Sequence, residues 1–255
     1  MTFDSDTELA GHLADVAGAL LLTIRAEGFA AGLDGKALGK QGDLRSNELL
    51  LAGLAEHRPD DAVLSEESAD TAARLGADRV WIIDPLDGTR EYGLPGRADW
   101  AVHVALWERG QGITAAAVTQ PALGERYLSG QVSASGEPIP TPSRVLVSDS
   151  RPPAFMAEFC AAVGAEARPM GSAGAKAMAV LRGDADAYVH HGGQWEWDSA
   201  APVGVVLAAG LHASRLDGSP LLYNEAHPYL PDLVICRAEL APTFLAALAA
   251  LESAG

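Results

Sequence analysis

The segment Trp81-Ile82-Ile83-Asp84-Pro85-Leu86-Asp87-Gly88-Thr89 constrains this chain more than any other. An apolar run of strand type, Arg79 to Ile83, stops at two carboxylates three residues apart, and a Gly-Thr pair follows at once. Proline restricts the residue before it and cannot donate to a sheet ladder, so the turn leaves the strand at Asp84-Pro85 and has little freedom. Standing alone, Asp-Pro-x-Asp-Gly is ordinary turn chemistry. It does not stand alone. Ser65-Glu66-Glu67 lies upstream and Trp195-Glu196-Trp197-Asp198 downstream, so carboxylates from three separated places are available to one site.

The chain of 255 residues is long enough for a substantial core, arranged as one large domain or two joined lobes. Its 34 acidic and 18 basic residues give a net charge of −16, which argues against a nucleic-acid polymer or an anionic membrane as partner. A small phosphorylated ligand stays admissible, because bound cations reverse the local field. Cys160 and Cys236 sit far apart in apolar surroundings and read as two core thiols, with a single disulfide as the alternative. The N-terminus has no basic lead-in to an apolar signal, and no uninterrupted apolar stretch reaches spanning length, so a cytoplasmic enzyme is expected.

Helical spacing of Leu9, Leu13, Val16, Leu20, Leu21 and Ile24 predicts a helix over residues 7–29, and a second is expected over 45–57. Short strands are expected at 62–64, 79–83, 100–107 and 114–119, with another at 127–129. The Gly-, Ser- and Pro-rich stretch 130–143 is the best internal boundary. It divides a metal-binding α+β lobe (1–135) from an α/β lobe (136–255) that completes the site. In the second lobe we expect strands at 145–148, 186–190 and 233–236. Helices are expected at 153–162, 174–181, 198–210 and 241–251, with residues 191–197 forming a glycine-tryptophan loop.

Magnesium takes six oxygen ligands in near-octahedral geometry. Asp84 and Asp87 are short enough to hold adjacent ions from one stiff turn, with the Leu86 carbonyl as a further oxygen. Glu67 is placed to join from the preceding strand and Asp198 from the second lobe, whereas Glu66 reads equally as a solvated neighbour. Gly88 permits close approach by a phosphate, and Thr89 at a helix start offers donors to it. Asp43 either orients a water together with Thr89 or caps a helix.

These elements, in this order, resemble the inositol monophosphatase-like superfamily, and within it the actinobacterial CysQ group of 3′-phosphoadenosine 5′-phosphate phosphatases. The resemblance covers nearly the whole chain and is strongest over Trp81–Thr89, with Glu66-Glu67 and Trp197-Asp198-Ser199-Ala200-Ala201 in support. It implies a layered αβαβα sandwich, two or three Mg2+ ions per active site and no organic cofactor. By resemblance Glu67, Asp84 and the Leu86 carbonyl hold one ion, and Asp84, Asp87 and Asp198 a second. A third, weaker ion takes Glu67 and water. Asp43, Thr89 and Glu67 form the catalytic set, and Asp87, Gly88 and Thr89 meet the scissile phosphate. Gly171-Ser172-Ala173-Gly174-Ala175-Lys176 resembles the family loop that recognises the rest of the substrate. Ser172 and Gly174 would contact sugar or a second phosphate, and Lys176 would neutralise it unless it simply faces solvent.

His190 to Trp197 matches the CysQ-like group, with Trp195 either beside adenine or in the core. His190 and His191 are expected in hydrogen-bonding or surface roles, since magnesium favours oxygen. Arg90, Arg97 and Arg151 are candidates for the second phosphate or for the solvated surface. The implied reaction is hydrolysis of 3′-phosphoadenosine 5′-phosphate to AMP and phosphate, extending to 3′-phosphoadenylyl sulfate; lithium inhibition and a homodimer are implied as well. The alternatives are inositol-1-phosphate or fructose-1,6-bisphosphate hydrolysis and, in a different class, a non-catalytic phosphometabolite-binding or metal-sensing protein.

Overall fold

The N-terminal apolar stripe forms helix α1 (Asp6–Ala30) in the computed structural model, which describes residues 3–252. Ser5 caps it by accepting from the Glu8 N–H. By length and composition α1 is apolar enough to cross a membrane, but half of that stretch is buried inside the protein. Leu9, Leu13, Leu21 and Ile24 pack into a core with Trp81, Ile83 and Val104. Each such side chain contributes about 1.5–3 kcal/mol by leaving water.

Helix α2 runs Gly35–His57, so the expected start at Arg45 is corrected. Asp34 is the true cap, accepting from the N–H groups of Lys36 and Ala37. Asp43 therefore lies within the helix and caps nothing.

The first sheet holds β1 (Ala62–Ser65), β2 (Arg79–Asp87), β3 (Ala101–Glu108), β4 (Gly112–Gln120) and β5 (Glu125–Leu128), in that spatial order. Strands β1 and β2 pair in parallel, and the other neighbours are antiparallel. The expectation that β2 stops at Ile83 is also corrected: it continues through Pro85 to Asp87, with a break in register against β3 between Asp84 and Asp87. Proline supplies no ladder donor there, so Pro85 and Leu86 fall out of the pairing while Asp84 and Asp87 keep partners, His103 and Ala101, on either side of the break. A short helix, α3 (Thr89–Tyr92), follows directly.

The second sheet has the order β7-β6-β8-β10-β9. Its strands are β6 (Ser143–Ser148), β7 (Ala165–Met170), β8 (Ala187–Trp195), β9 (His212–Ser214) and β10 (Tyr229–Cys236). The expected glycine-tryptophan loop is thus the second half of β8, where it pairs with β10 around an irregularity at Gly192 and Gly193. Strands β7 and β9 were not expected; β7 is a largely exposed edge strand containing Pro169, without the apolar alternation that marks a strand.

Helices α5 (Ala173–Arg182) and α6 (Glu196–Ala208) fill the space between the sheets. Their core draws on Val80 and Ile82 from the first sheet and Leu146 and Tyr188 from the second. Helices α4 (Met156–Val163) and α7 (Ala241–Glu252) cover the outer face of the second sheet, while α1 and α2 cover the first. The layers therefore run αβαβα, as the resemblance implies. Cys160 and Cys236 are buried free thiols. Position 135 falls in the connection between the two sheets.

Candidate metal and phosphate site

Three carboxylates meet where the two sheets face each other. Oxygens of Asp84, Asp87 and Asp198 all lie within 4.8 Å of one another. The irregular end of β2 supplies the first two. The first turn of α6 supplies the third, held by an N–H from Trp195 to Asp198 Oδ2 at 2.6 Å. Asp84 is 1% exposed, and its Oδ1 accepts the Leu86 N–H at 3.0 Å.

Glu66 is the fourth member, which sequence reasoning undervalued. Strand β1 ends at Ser65, level with Ile83, and Glu66 and Glu67 occupy the turn that follows, beside the end of β2. Glu66 is exposed along much of its length, yet its carboxyl reaches Asp84 and lies near Asp198 and Asp43. Glu67 stands beside Asp43. The geometry thus favours Glu66 over Glu67 as the partner of Asp84.

Burial and mutual repulsion push these acids upward: Glu66 to about 8, Asp198 to about 7, and Asp84 well above its ordinary range. Asp87 differs. Burial raises it, but His103, Ser172 and Lys176 together outweigh that and leave it at about 2. Oxygen-only donors with uncompensated negative charge suit a hard divalent cation.

Beside this cluster, Gly88 adopts φ 85°, a left-handed conformation that favours glycine. A Cβ there would meet Asp99 O and Ser172 Cβ, each at 3.0 Å. The Thr89 hydroxyl faces Asp43 Oδ1 at 3.3 Å and the Leu86 carbonyl at 3.1 Å, donating to one at a time. Burial, then Glu67, raises Asp43 to about 7 against the opposing Thr89 bond. Glycines seat α2 on this turn: a Cβ at Gly39 would come within 2.6 Å of Thr89 Cγ2, and one at Gly42 within 3.0 Å of both Leu86 and Tyr92. Gly39→Val is therefore expected to displace Thr89 from Asp43. It should lower kcat on the order of 10²-fold with little change in far-ultraviolet circular dichroism.

The loop leading into α5, whose Gly171, Ser172 and Ala173 line the cavity beside the cluster, also holds Asp87. Ser172 Oγ donates to Asp87 Oδ2, and the N–H groups of Ala173 (3.1 Å) and Gly174 (2.7 Å) also donate to Asp87. Ser172 and Gly174 thus grip Asp87. A Cβ at Gly174 would strike His103 Nε2 at 2.1 Å, and that nitrogen lies 3.3 Å from Asp87 Oδ2 without forming a hydrogen bond. Lys176 is 4% exposed, so the solvent-facing alternative falls. Its Nζ donates to the carbonyls of Ser172 (2.6 Å), Gly171 (3.3 Å) and Met170 (3.4 Å), and desolvation lowers its pKa to about 8. It holds the turn that carries Ser172 at φ 53°.

A cavity of about 310 Å³ opens over these groups, lined by Gly88, Thr89, Arg90, Arg151, Lys176 and His190 among others. Arg90 lines it while paired to Asp149 at 2.9 Å. Arg97 pairs with Asp99 and Asp149 and is not part of the lining. The Arg151 side chain has no hydrogen bond or ion pair among the described residues, and it passes close over Gly193. Trp195 is not in the lining: its ring stacks on Trp197 at 5.4 Å and meets His227 and Tyr229 edge-on. Trp197 thus covers one face of Trp195, and these contacts support the core alternative. A wider groove of about 790 Å³ lies behind α6, lined by Trp107, Ile113 and Leu207, and holds none of the clustered carboxylates.

Residues 4–251 match the model of the inositol monophosphatase family. A protein of Mycobacterium leprae named 3′-phosphoadenosine 5′-phosphate phosphatase is 56% identical over 253 residues, covering 94% of this chain and 92% of that protein. An Escherichia coli K12 protein named 3′(2′),5′-bisphosphate nucleotidase CysQ is 29% identical over 199 residues, covering 74% of this chain and 80% of that one. Among solved structures, inositol monophosphatase from Anabaena aligns with TM-score 0.76 at 22% identity, covering 95% of this chain and 94% of that one. Mycobacterium tuberculosis SuhB aligns with TM-score 0.71 at 26% identity, over 95% and 94% of the two chains. With its layered fold and convergent carboxylates, the chain belongs to the inositol monophosphatase family.

Proposed function

We propose that this protein is a magnesium-dependent phosphomonoesterase that converts 3′-phosphoadenosine 5′-phosphate to AMP and phosphate, and 3′-phosphoadenylyl sulfate to adenylyl sulfate. The observation that carries the reaction class is the convergence of Asp84, Asp87 and Asp198 beside the Gly88-Thr89 turn and its cavity. The substrate assignment rests on the relative at 56% identity. Held by Glu66, Asp84, Asp87, Asp198 and the Leu86 carbonyl, with Glu67 next in reach, magnesium would supply charge neutralisation, polarisation of the phosphoryl group and a more acidic water.

The chain's own groups do the positioning. Gly88 and the start of α3 receive the phosphoryl oxygens. Asp43 and the Thr89 hydroxyl, 3.3 Å apart, order the attacking water, and Asp43 is placed to take its proton. Water adds to phosphorus, the bond from phosphorus to the 3′ oxygen breaks, and that oxygen leaves with a proton as the free hydroxyl. Ser172, Ala173 and Gly174 keep Asp87 aligned, and Lys176 steadies their turn. Arg151, the cavity arginine without a carboxylate partner among the described residues, takes the 5′-phosphate. Family resemblance supports cytoplasmic location and a homodimer.

The test is initial phosphate release with magnesium from 3′-phosphoadenosine 5′-phosphate, inositol-1-phosphate and fructose-1,6-bisphosphate. Preference for the nucleotide is expected. Preference for a sugar phosphate would keep the site chemistry and reject the substrate. Metal-dependent binding of all three without release would favour a binding or sensing protein.

A further inference from the structure

Carboxylates that repel one another need their supporting segments held together, and two of those segments meet through one arginine. Glu66 lies on the connection between β1 and β2, and Asp198 on the first turn of α6. Arg74, in the short helical turn Ala72–Gly76 of that connection, is 1% exposed. Its Nε and Nη2 donate to the two carboxylate oxygens of Asp70, at 2.7 and 2.9 Å. Away from Asp70, Nη1 donates to Asn224 Oδ1 at 2.6 Å, and Nη2 also donates to the Glu225 carbonyl at 2.8 Å. Asn224 and Glu225 lie between β9 and β10, and each bridges onward. Their N–H groups donate to the two carboxylate oxygens of Glu196, at 2.7 and 2.8 Å. Glu196 is the buried first residue of α6, one helical turn's edge from Asp198.

Burying a guanidinium is costly unless its donors find acceptors. Here the acceptors come from the two segments whose spacing the site depends on. The near end of the Glu66 connection is tied separately to α2: Ser65 Oγ donates to Asn47 Oδ1 at 2.7 Å, and Asn47 Nδ2 to Ser68 Oγ at 3.2 Å. Arg74 ties its far end to the start of α6. The Glu66 and Asp198 carboxyls are close enough to repel, which works to part these segments. Arg74 itself is not part of the cavity lining. We infer that Arg74 is a positioning residue for the divalent cation, fixing the separation of Glu66 and Asp198 through Asp70 on one side and Asn224, Glu225 and Glu196 on the other. The inference rests on the phosphatase reading above and extends it to what sets magnesium affinity. The planar fork is what the role requires. A lysine, with one point of charge, would hold Asp70 or the 224–225 segment but not both.

Titration calorimetry of magnesium into chelator-treated, full-length protein, without substrate, reads the effect directly. Arg74→Met is expected to weaken magnesium binding roughly 10-fold or more, and Arg74→Lys to do much the same. In phosphate release the half-saturating magnesium concentration should rise by a similar factor, while kcat at saturating magnesium stays within about twofold of wild type. Asn224→Gly removes one acceptor and keeps the backbone, because glycine adopts the φ of 63° found there without strain. It should weaken magnesium in the same direction and add nothing to Arg74→Met in the double variant. Arg144→Met, which breaks a comparable pair with buried Asp186, is the control for stability alone: a lower melting temperature with unchanged magnesium affinity. Should Arg74→Met fail to fold, Asn224→Gly decides. Unchanged magnesium affinity in folded Arg74→Met, or in Asn224→Gly, overturns the inference while leaving the phosphatase reading intact. Wild-type protein that binds magnesium but releases phosphate from none of the candidate substrates would instead defeat the phosphatase reading, and the calorimetry would still decide the role of Arg74.

Discussion

Asp84→Asn is expected to lower phosphate release by at least about 10³-fold while raising the melting temperature of the metal-free protein. The two effects have one cause. Asp84 is 1% exposed, and Glu66, Asp87, Asp198 and Asp43 all disfavour its negative charge in addition to the burial itself. Asparagine has nearly the same shape, and its side-chain oxygen can still accept the Leu86 N–H that now bonds to Asp84 Oδ1 at 3.0 Å. The local backbone therefore keeps its anchor. What disappears is a charge that the site needs when cations are bound and that the empty fold tolerates poorly. A gain of 1 kcal/mol corresponds to about 2–4 °C for a chain of this size. Calorimetry on chelator-treated protein and a phosphate-release assay with magnesium read the two effects separately. A residue needed only for packing would lose both activity and melting temperature, and that result would remove Asp84 from the centre of the site.

How much of this site was legible depends on what each residue's signal consists of. The Asp84-Pro85-Leu86-Asp87-Gly88-Thr89 turn is local chemistry, and its residues stay together in any fold that contains it. Asp198 was legible because an acidic residue in a first helical turn has a reason to be there. The choice between Glu66 and Glu67 was not. It depends on which of two adjacent glutamates the turn after β1 aims at Asp84, and nothing in their local sequence marks that. The first turns of α2 were obscured for a different reason. Gly35, Gly39 and Gly42 weaken a helical reading, yet the absence of side chains is what lets α2 approach Gly93, Thr89 and Leu86. Asp34, which accepts two helical N–H groups at 3.0 Å, was the available clue. Ser172 and Gly174 were recognised as site residues, but their role was not readable. The first-turn donors of α5 are directed at Asp87, a residue from the other sheet, and only the packing of α5 between the sheets brings them together.

The same crowding of acids sets how stability responds to pH. The metal-free protein is expected to melt at a higher temperature at about pH 5.5 than at about pH 8.5, and magnesium is expected to reverse that order. Asp43 and Asp198 are held at about 7 against an ordinary 3.8, and Glu66 at about 8 against 4.5. Groups raised in the folded state favour folding most when protonated. Their contribution is fully present below the unfolded values and is lost as pH climbs through 7 to 8. Asp87 runs the other way: at about 2 it stabilises the fold above 3.8 and loses that contribution only as pH falls toward 2. It is therefore constant across the window and does not cancel the trend. Cations bind the ionised carboxylates, so each one bound displaces protons, and affinity rises over the same pH range in which the metal-free fold weakens. Scanning calorimetry at several pH values, with chelator and with magnesium, checks both arms. Asp84→Asn should flatten the chelator curve by removing the most buried of the repelling charges. A metal-free melting temperature that stays level or rises between about pH 6 and 8.5 would show that these carboxyls do not press on one another in the folded protein.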